Sequence, residues 1–350
     1  PRRIFPLIRQ KSCLKMQDSS GFNQSTSLFE SSYDEGATVF TEATASLRLQ
    51  DLPIVPTLTD IIVLKYSGSK DDKGRFHGDG KAEFYGGHAY EGFFRKGMLH
   101  GQGKYCWADG LEYEGEFAFN EIRGRGVYRW PDGSSYEGEV QDGLRHGYGV
   151  YNSGKSEVSY EGDWSHGRRH GQGTLYFDRA HAAFYQGDWR HNRREGHGIL
   201  QYASGNKYEG EWENDVKCGQ GTMHWHTTAE RYSGSWASDL PDGQGEHVWM
   251  EPPGGGGSTQ KQMCNLYRGT WRAGVRSGAG DFLYANGAQY SGGWKDNKKH
   301  GNGIFIFDDG RIYAGRFEAD HMCDYKPPAA SAAAAAAAAP APRIRLRVAD

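Results

Sequence analysis

The sequence predicts an all-β protein, an elongated single-layer antiparallel sheet of about ten β-hairpin repeats with irregular N- and C-terminal extensions. Three observations predict it. A Tyr-x-Gly element recurs at Tyr66, Tyr90, Tyr113, Tyr136, Tyr160, Tyr185, Tyr208, Tyr232, Tyr267, Tyr290 and Tyr313, at spacings of 23 to 25 residues apart from one of 35. Each of the first ten is followed by Gly-x-Gly and alternating large side chains, as in Gly101-Gln102-Gly103-Lys104-Tyr105-Cys106-Trp107. Asp-Gly or Asn-Gly pairs, among them Asp109-Gly110, Asp132-Gly133, Asn286-Gly287 and Asp309-Gly310, then separate one unit from the next.

Alternation decides what each element does, because residues at i, i+2 and i+4 share one face of a strand. In Tyr160-Glu161-Gly162-Asp163-Trp164 the rule puts Tyr160, Gly162 and Trp164 on one side and the two acids on the other. In the second element it groups Gly171, Gly173, Leu175 and Phe177. A bare glycine lets a neighbouring ring lie flat across the strand, so a thin sheet still buries apolar surface. The positions expected to build the repeat are Tyr90 with Gly92, Gly101 with Gly103, Tyr113 with Gly115, and Tyr136 with Gly138. Further along they are Tyr160, Gly162 and Trp164; Tyr185, Gly187 and Trp189; Tyr208, Gly210 and Trp212; and Tyr290, Gly292 and Trp294. Asp-Gly pairs mark tight turns between units. The connection inside a unit, such as Arg95-Lys96-Gly97-Met98-Leu99-His100, reads as longer. Twenty strands at ~4.8 Å give a ribbon of ~95 Å.

The domain organisation follows. Residues 1–60, rich in Ser, Thr and Gln without periodicity, read as an arm that orders on a partner. Residues 61–322 form the ribbon, interrupted at 250–266 by a Gly-rich insertion that explains the long spacing. Residues 323–350 form a Pro/Ala-rich tail ending in Arg343-Ile344-Arg345-Leu346-Arg347-Val348, which reads as a disordered terminus or as a strand to be added to another sheet.

Composition narrows the function classes. With 37% hydrophobic residues and 51 glycines the chain is poor material for two packed globular cores, yet 13% aromatic content is too high for disorder. A net charge of -3 with interleaved signs does not point to nucleic acid. Five cysteines, widely spread and without a CxxC pair, read as reduced thiols. No stretch approaches the ~20 apolar residues of a membrane span.

Catalysis is not expected. His77, His100, His146, His170 and His300 occupy equivalent places, but Arg123, Glu195, Cys218, Asp242 and Ser277 replace them in other units. A metal-ligand set would not survive that exchange, so no metal site is assigned. Gly-x-Gly is followed by a strand rather than a helix, which excludes a phosphate-binding loop, and no cofactor is expected. Acid pairs such as Glu114 with Glu116, Glu137 with Glu139 and Glu209 with Glu211 face solvent, where nothing separates their pKa values. Basic pairs are more suggestive. Arg95 with Lys96, Arg168 with Arg169, Arg193 with Arg194, and Lys298 with Lys299 fall at the intra-unit connections, which stack along one edge. Such a rail suits acidic protein surfaces or anionic lipid, or simply protects an edge.

The unit Tyr-x-Gly-x-Trp, loop, His-Gly-x-Gly, aromatic, Asp-Gly resembles the MORN repeat family over about residues 66–322. The resemblance implies a scaffold of single-layer β-sheet. Four segments resemble in particular the radial spoke head proteins of cilia and flagella, of the radial spoke head 10 homologue B group. They are Gly74-Arg75-Phe76-His77-Gly78-Asp79-Gly80, Phe84-Tyr85-Gly86-Gly87-His88-Ala89-Tyr90, Lys298-Lys299-His300-Gly301-Asn302-Gly303 and Glu318-Ala319-Asp320-His321-Met322. That resemblance implies a structural component of the ciliary axoneme whose partners are other radial spoke or axonemal proteins, or a second MORN ribbon in a homo- or hetero-dimer. The alternative is a membrane adaptor that binds phosphoinositides.

Overall fold

A computed structural model describes residues 52, 53, 55, 58, 61–249 and 264–325. The rest of the predicted arm, most of the insertion and the tail from 326 lie outside the described residues. Every regular element among the described residues is a strand. The first five hairpins are β1–β2 (Val63–Lys70, Phe76–Phe84), β3–β4 (Ala89–Arg95, Met98–Cys106), β5–β6 (Glu112–Ala118, Glu121–Arg129), β7–β8 (Ser135–Gln141, Leu144–Asn152) and β9–β10 (Ser159–Ser165, Arg168–Tyr176). The next five are β11–β12 (Phe184–Arg190, Arg193–Gln201), β13–β14 (Lys207–Glu213, Val216–Trp225), β15–β16 (Glu230–Ala237, Leu240–Trp249), β17–β18 (Asn265–Arg272, Val275–Leu283) and β19–β20 (Gln289–Lys295, Lys298–Ile306). An eleventh hairpin is cut short, with β21 (Ile312–Glu318) answered by the two-residue β22 (His321–Met322). Each strand pairs antiparallel with its predecessor and successor, so sequence order is spatial order throughout the sheet.

The register reveals why glycine recurs. The glycines of Tyr-x-Gly and the second glycines of Gly-x-Gly pair across every strand boundary, in an unbroken row from Gly68 on β1 to Gly315 on β21. Tyrosine rings lie over this row, and a Cβ at Gly173 would overlap the ring and hydroxyl of Tyr160. Burial is nearly complete, with Tyr113, Tyr136, Tyr185, Tyr208, Tyr232 and Tyr267 at 0% exposure. The core of this single sheet is therefore made by side chains folding down onto their own backbone.

The two glycines of Gly-x-Gly do different work, which the sequence reading did not separate. The first sits at a bulge. In β10 the pairing with β9 jumps between Arg169 and Gly173, and Gly171 takes φ 59°, a left-handed conformation that a side chain would strain. The bulge frees the carbonyl of Asp163, which accepts the Tyr160 hydroxyl at 3.0 Å. The same i to i+3 bond is made by all eleven repeat tyrosines, from Tyr66 to Tyr313. The acid beside the bulge is also used. Glu116, Asp163, Asp188 and Glu211 accept the backbone N–H of Arg125, Gln172, His197 and Gln220, so these acids cap the bulge rather than merely face solvent.

The connections are the reverse of those expected. Inside a repeat the turn has only two residues, as between β9 and β10, where His166 and Gly167 have φ 49° and 77°. Positive φ at both positions is the type I′ pattern that matches strand twist. Between repeats the Asp-Gly pairs lie within five-residue loops. In Trp107–Leu111 the Trp107 N–H donates to the Leu111 carbonyl at 2.8 Å, and Asp109 Oδ1 accepts the Leu111 N–H at 3.1 Å. The first hairpin departs from both forms, with the loop Asp71–Arg75 folded around the Asp71 carboxylate. That carboxylate is held down to about 2, chiefly by its hydrogen bond from Arg75. The insertion is slightly shorter than predicted, because β17 already begins at Asn265.

Candidate interaction face

The face that carries the tyrosines also carries a second row, formed where the residue four positions after each repeat tyrosine pairs with the second residue of the next strand. The pairs are Phe94 with Leu99, Phe117 with Ile122, Val140 with Arg145, Trp164 with Arg169, Trp189 with Arg194 and Trp212 with Lys217. Beyond them come Trp236 with Pro241, Trp271 with Arg276, Trp294 with Lys299 and Phe317 with Met322. The row begins apolar and becomes alternating tryptophan and cation.

Arg145, Arg169, Arg194, Lys217 and Arg276 each belong to one repeat and stack on the tryptophan of the next, while Lys299 lies over Tyr284 and Tyr290 instead. The guanidinium of Arg169 lies 4.4 Å from the Trp189 ring, Arg194 lies 4.2 Å from Trp212, and Arg276 lies 4.6 Å from Trp294. The Lys217 ammonium is 5.3 Å from both Trp236 and Tyr208. Desolvation is the main cost, and it pulls Arg145 and Arg169 down to about 10 and Lys217 down to about 8. The next repeat's turn repays part of it. Asn192, Asp215 and Asn297 offer backbone carbonyls to Arg169, Arg194 and Arg276 at 3.1, 2.8 and 2.8 Å. Their side-chain oxygens also accept the backbone N–H of the same arginines. The indole N–H groups of Trp164, Trp189, Trp212, Trp236 and Trp294 point the other way, to glycine carbonyls of the preceding repeat at 3.0 to 3.2 Å. Adjacent repeats are thus bonded in both directions.

This arrangement corrects the predicted basic rail. Arg95, Lys96, Arg168, Arg193 and Lys298 are exposed at the turn edge, but Arg169 and Arg194 are buried at 4% and 7% exposure and Lys299 is turned inward. Neighbours in a strand point to opposite faces, so one member of each Arg-Arg or Lys-Lys pair leaves the edge. Acids share what remains. Asp142 and Asp296 are exposed at the same turns, and Arg193 donates to Asn214 at 2.9 Å. The edge is of mixed sign.

Three of the equivalent histidines pack against the turn of the next repeat. His100 lies 5.0 Å from Phe119, His146 5.7 Å from His166, and His170 5.4 Å from His191. Among the described residues no group of three or more His, Cys, Asp or Glu side chains converges as a metal site. Among the described residues Cys106, Cys218 and Cys323 form no disulfide. Nor is any described helix long and apolar enough to cross a membrane, there being only strands.

A continuous meander whose buried residues all belong to one face, repeated unit by unit, defines an open β-hairpin repeat protein, in which each unit contacts only its neighbours. Compared with known families, the chain matches the MORN repeat nine times, at residues 90–112, 113–135, 136–155, 160–178, 185–207, 208–227, 232–250, 267–289 and 290–310. The chain belongs to the MORN repeat family, a repeat-based interaction scaffold. The hairpin β1–β2 and the truncated β21–β22 extend the ribbon beyond the nine matches.

No curated protein matches the chain. Similar solved structures include the TCP10 domain of Danio rerio CPAP in complex with a peptide of Danio rerio STIL, at 11% identity and a TM-score of 0.32 over 72% of this chain and 100% of that one. Another is the Drosophila melanogaster SAS-4 TCP domain in complex with a proline-rich motif of Ana2, at 13% identity and a TM-score of 0.24 over 57% and 89%. Virginiamycin B lyase from Staphylococcus aureus follows at 8% identity and a TM-score of 0.14 over 73% and 88%. Scores this low carry no argument about function.

Proposed function

We propose that this MORN ribbon is a non-catalytic structural scaffold of the ciliary or flagellar axoneme, a radial spoke subunit that holds other spoke proteins in place for motility. The observation that carries the scaffold part is the two-way bonding between successive repeats, which makes neighbouring hairpins one continuous surface. The ciliary part is supported by the four segments outside the bare repeat pattern, Gly74–Gly80, Phe84–Tyr90, Lys298–Gly303 and Glu318–Met322, that resemble radial spoke head proteins. Partners would then be axonemal proteins or a second ribbon, at the exposed turn edge and the described ends of the sheet. Fractionation tests the reading. The tagged protein should remain with demembranated, salt-washed axonemes and be lost from axonemes that lack radial spokes; recovery in the soluble fraction sinks it.

The alternative, a phosphoinositide-binding adaptor, is favoured by the exposed cations Arg95, Lys96, Arg168, Arg193 and Lys298 along one edge. Burial of Arg169 and Arg194 and the acids between the turns weaken it. Sedimentation with phosphoinositide vesicles separates the two readings, since an adaptor should bind and should lose binding when Arg168 and Arg193 become Ala.

A further inference from the structure

One cation of the inter-repeat row is the least completed by its own ribbon: among the described residues Arg169 leaves only Nε buried without a hydrogen-bond partner, whereas Arg145 leaves two nitrogens so. Arg145, on β8, is 4% exposed and lies between Trp130 and Trp164, at 5.7 and 5.0 Å from their rings. Its equivalents Arg169, Arg194 and Arg276 meet Asn192, Asp215 and Asn297 at the second turn position of the next repeat. For Arg145 that position is Gly167, which supplies only a carbonyl, at 3.3 Å. Nε and Nη1 of Arg145 are buried without a hydrogen-bond partner among the described residues. A buried guanidinium with unmet donors is costly, so the site is built to take acceptors from elsewhere.

One such acceptor is present. Arg145 Nη2 donates to the backbone carbonyl of Pro53 at 3.3 Å, across 92 positions of sequence. Leu52, Pro53, Val55 and Leu58 are all half-buried and belong to the same compact unit as the ribbon. Their composition fits the role. Proline has no N–H to leave unpaired and favours extended backbone at itself and before it, and Leu52, Val55 and Leu58 are apolar residues suited to an aromatic face. The reach fits an intramolecular contact. Pro53 precedes the start of β1 by ten residues, which span at most ~33–36 Å, while the seven strand spacings from β1 to β8 amount to ~34 Å.

We propose that the aromatic face around Trp130, Arg145 and Trp164 is a docking seat for an extended, proline-bearing apolar segment, and that Leu52, Pro53 and Val55 of the chain's own arm are its resident occupants. Arg145 reads a backbone carbonyl of the segment, and Gly167 keeps the seat open by withholding the side-chain acceptor that Asp215 and Asn297 offer to Nε of Arg194 and Arg276. A partner that uses the same seat must present a similar segment and displace the arm. The inference stands independently of the axonemal reading.

The test uses the full chain. In the variant Leu52→Asp, Val55→Asp, Leu58→Asp the arm should leave its seat. A fluorescein-labelled peptide of residues 48–60 should then bind this variant at least tenfold more tightly than it binds the wild type, read by fluorescence anisotropy. Adding Gly167→Asn, which restores the Nε acceptor seen at Asn297 with φ 65° and leaves Arg145 and the core in place, should weaken peptide binding at least fivefold. Equal binding to wild type and arm variant, no binding to the arm variant at millimolar peptide, or indifference to Gly167→Asn overturns the proposal. Sedimentation of the wild type as a dimer that reverts to monomer in the arm variant would make a second copy the occupant and overturn the intramolecular assignment.

Discussion

Repeats two and three and repeats five to seven share one backbone but fill it differently. In the first group the paired positions hold Phe94 with Leu99 and Phe117 with Ile122; in the second they hold Trp164 with Arg169, Trp189 with Arg194 and Trp212 with Lys217. What does not change is the glycine row, the tyrosine over it, and the edge-to-face contact of that tyrosine with the next repeat's ring. Tyr90 meets Phe117 at 5.0 Å and Tyr185 meets Trp212 at 5.4 Å. The comparison teaches that Tyr and Gly determine the fold, whereas the paired position determines how firmly one repeat holds the next. An apolar pair packs. A Trp–cation pair adds side-chain hydrogen bonds in both directions across the repeat boundary to the backbone-to-turn bonds that Leu99 already makes with Asn120.

The shared parts should therefore fail equally in both regions, with the largest effect. Tyr113→Ala and Tyr208→Ala each remove a fully buried ring and its hydroxyl bond, at a cost of about 3–5 kcal/mol. Amide hydrogen exchange should show similar loss of protection in the strands flanking each site. A much larger loss at one of them would break the comparison.

The paired positions should respond according to their chemistry. Arg194→Ala leaves Trp212 uncovered and removes the bond to the Asp215 carbonyl, a cost of about 2–3 kcal/mol. Replacing both members by those of the equivalent contact between repeats two and three, Leu99 and Phe117, as Arg194→Leu with Trp212→Phe, should cost under about 1.5 kcal/mol, because volume and burial are largely kept. Urea denaturation of the two variants checks the order.

A third difference is pH. Burial lowers the folded Lys217 to about 8, below its unfolded value of ~10.4, so between these values the unfolded chain binds more protons. Stability of this region should accordingly rise by about 1–2 kcal/mol from pH 8 to pH 10, and Lys217→Met should abolish the rise. Leu99 and Ile122 hold the equivalent place in repeats two and three, where no such rise is expected. The smallest effect lies at a turn. Phe119 sits at φ 54° with its side chain exposed, so Phe119→Gly should stabilise the third repeat by about 0.5–1 kcal/mol in thermal unfolding.

Much of this was legible in the sequence. Tyr-x-Gly and Gly-x-Gly mark strands because period-2 alternation puts ring and glycine on one face, and ten complete hairpins with an eleventh begun are what the register shows. The turns were misread because Asp-Gly signals positive φ at glycine without fixing loop length; Gly110 and Gly133 do have φ 89° and 86°, but inside five-residue loops. A better signal was present at the intra-repeat turns. Their second position is always Gly, Asn or Asp, from Gly97 and Asn120 to Asn297 and Asp320, the residues that tolerate left-handed backbone. Starting the second strand directly after that residue would have sent Arg168 outward and Arg169 inward. The Pro53 contact had no local signal, since it joins residues remote in sequence.

The central claim, that a cation of one repeat binds the tryptophan of the next, is tested most directly by a double-mutant cycle on Arg194 and Trp212. With Arg194→Met and Trp212→Leu, singly and together, urea denaturation should give a coupling energy of about 1–2 kcal/mol across the repeat boundary. Additive single effects, with coupling below about 0.3 kcal/mol, would contradict the account.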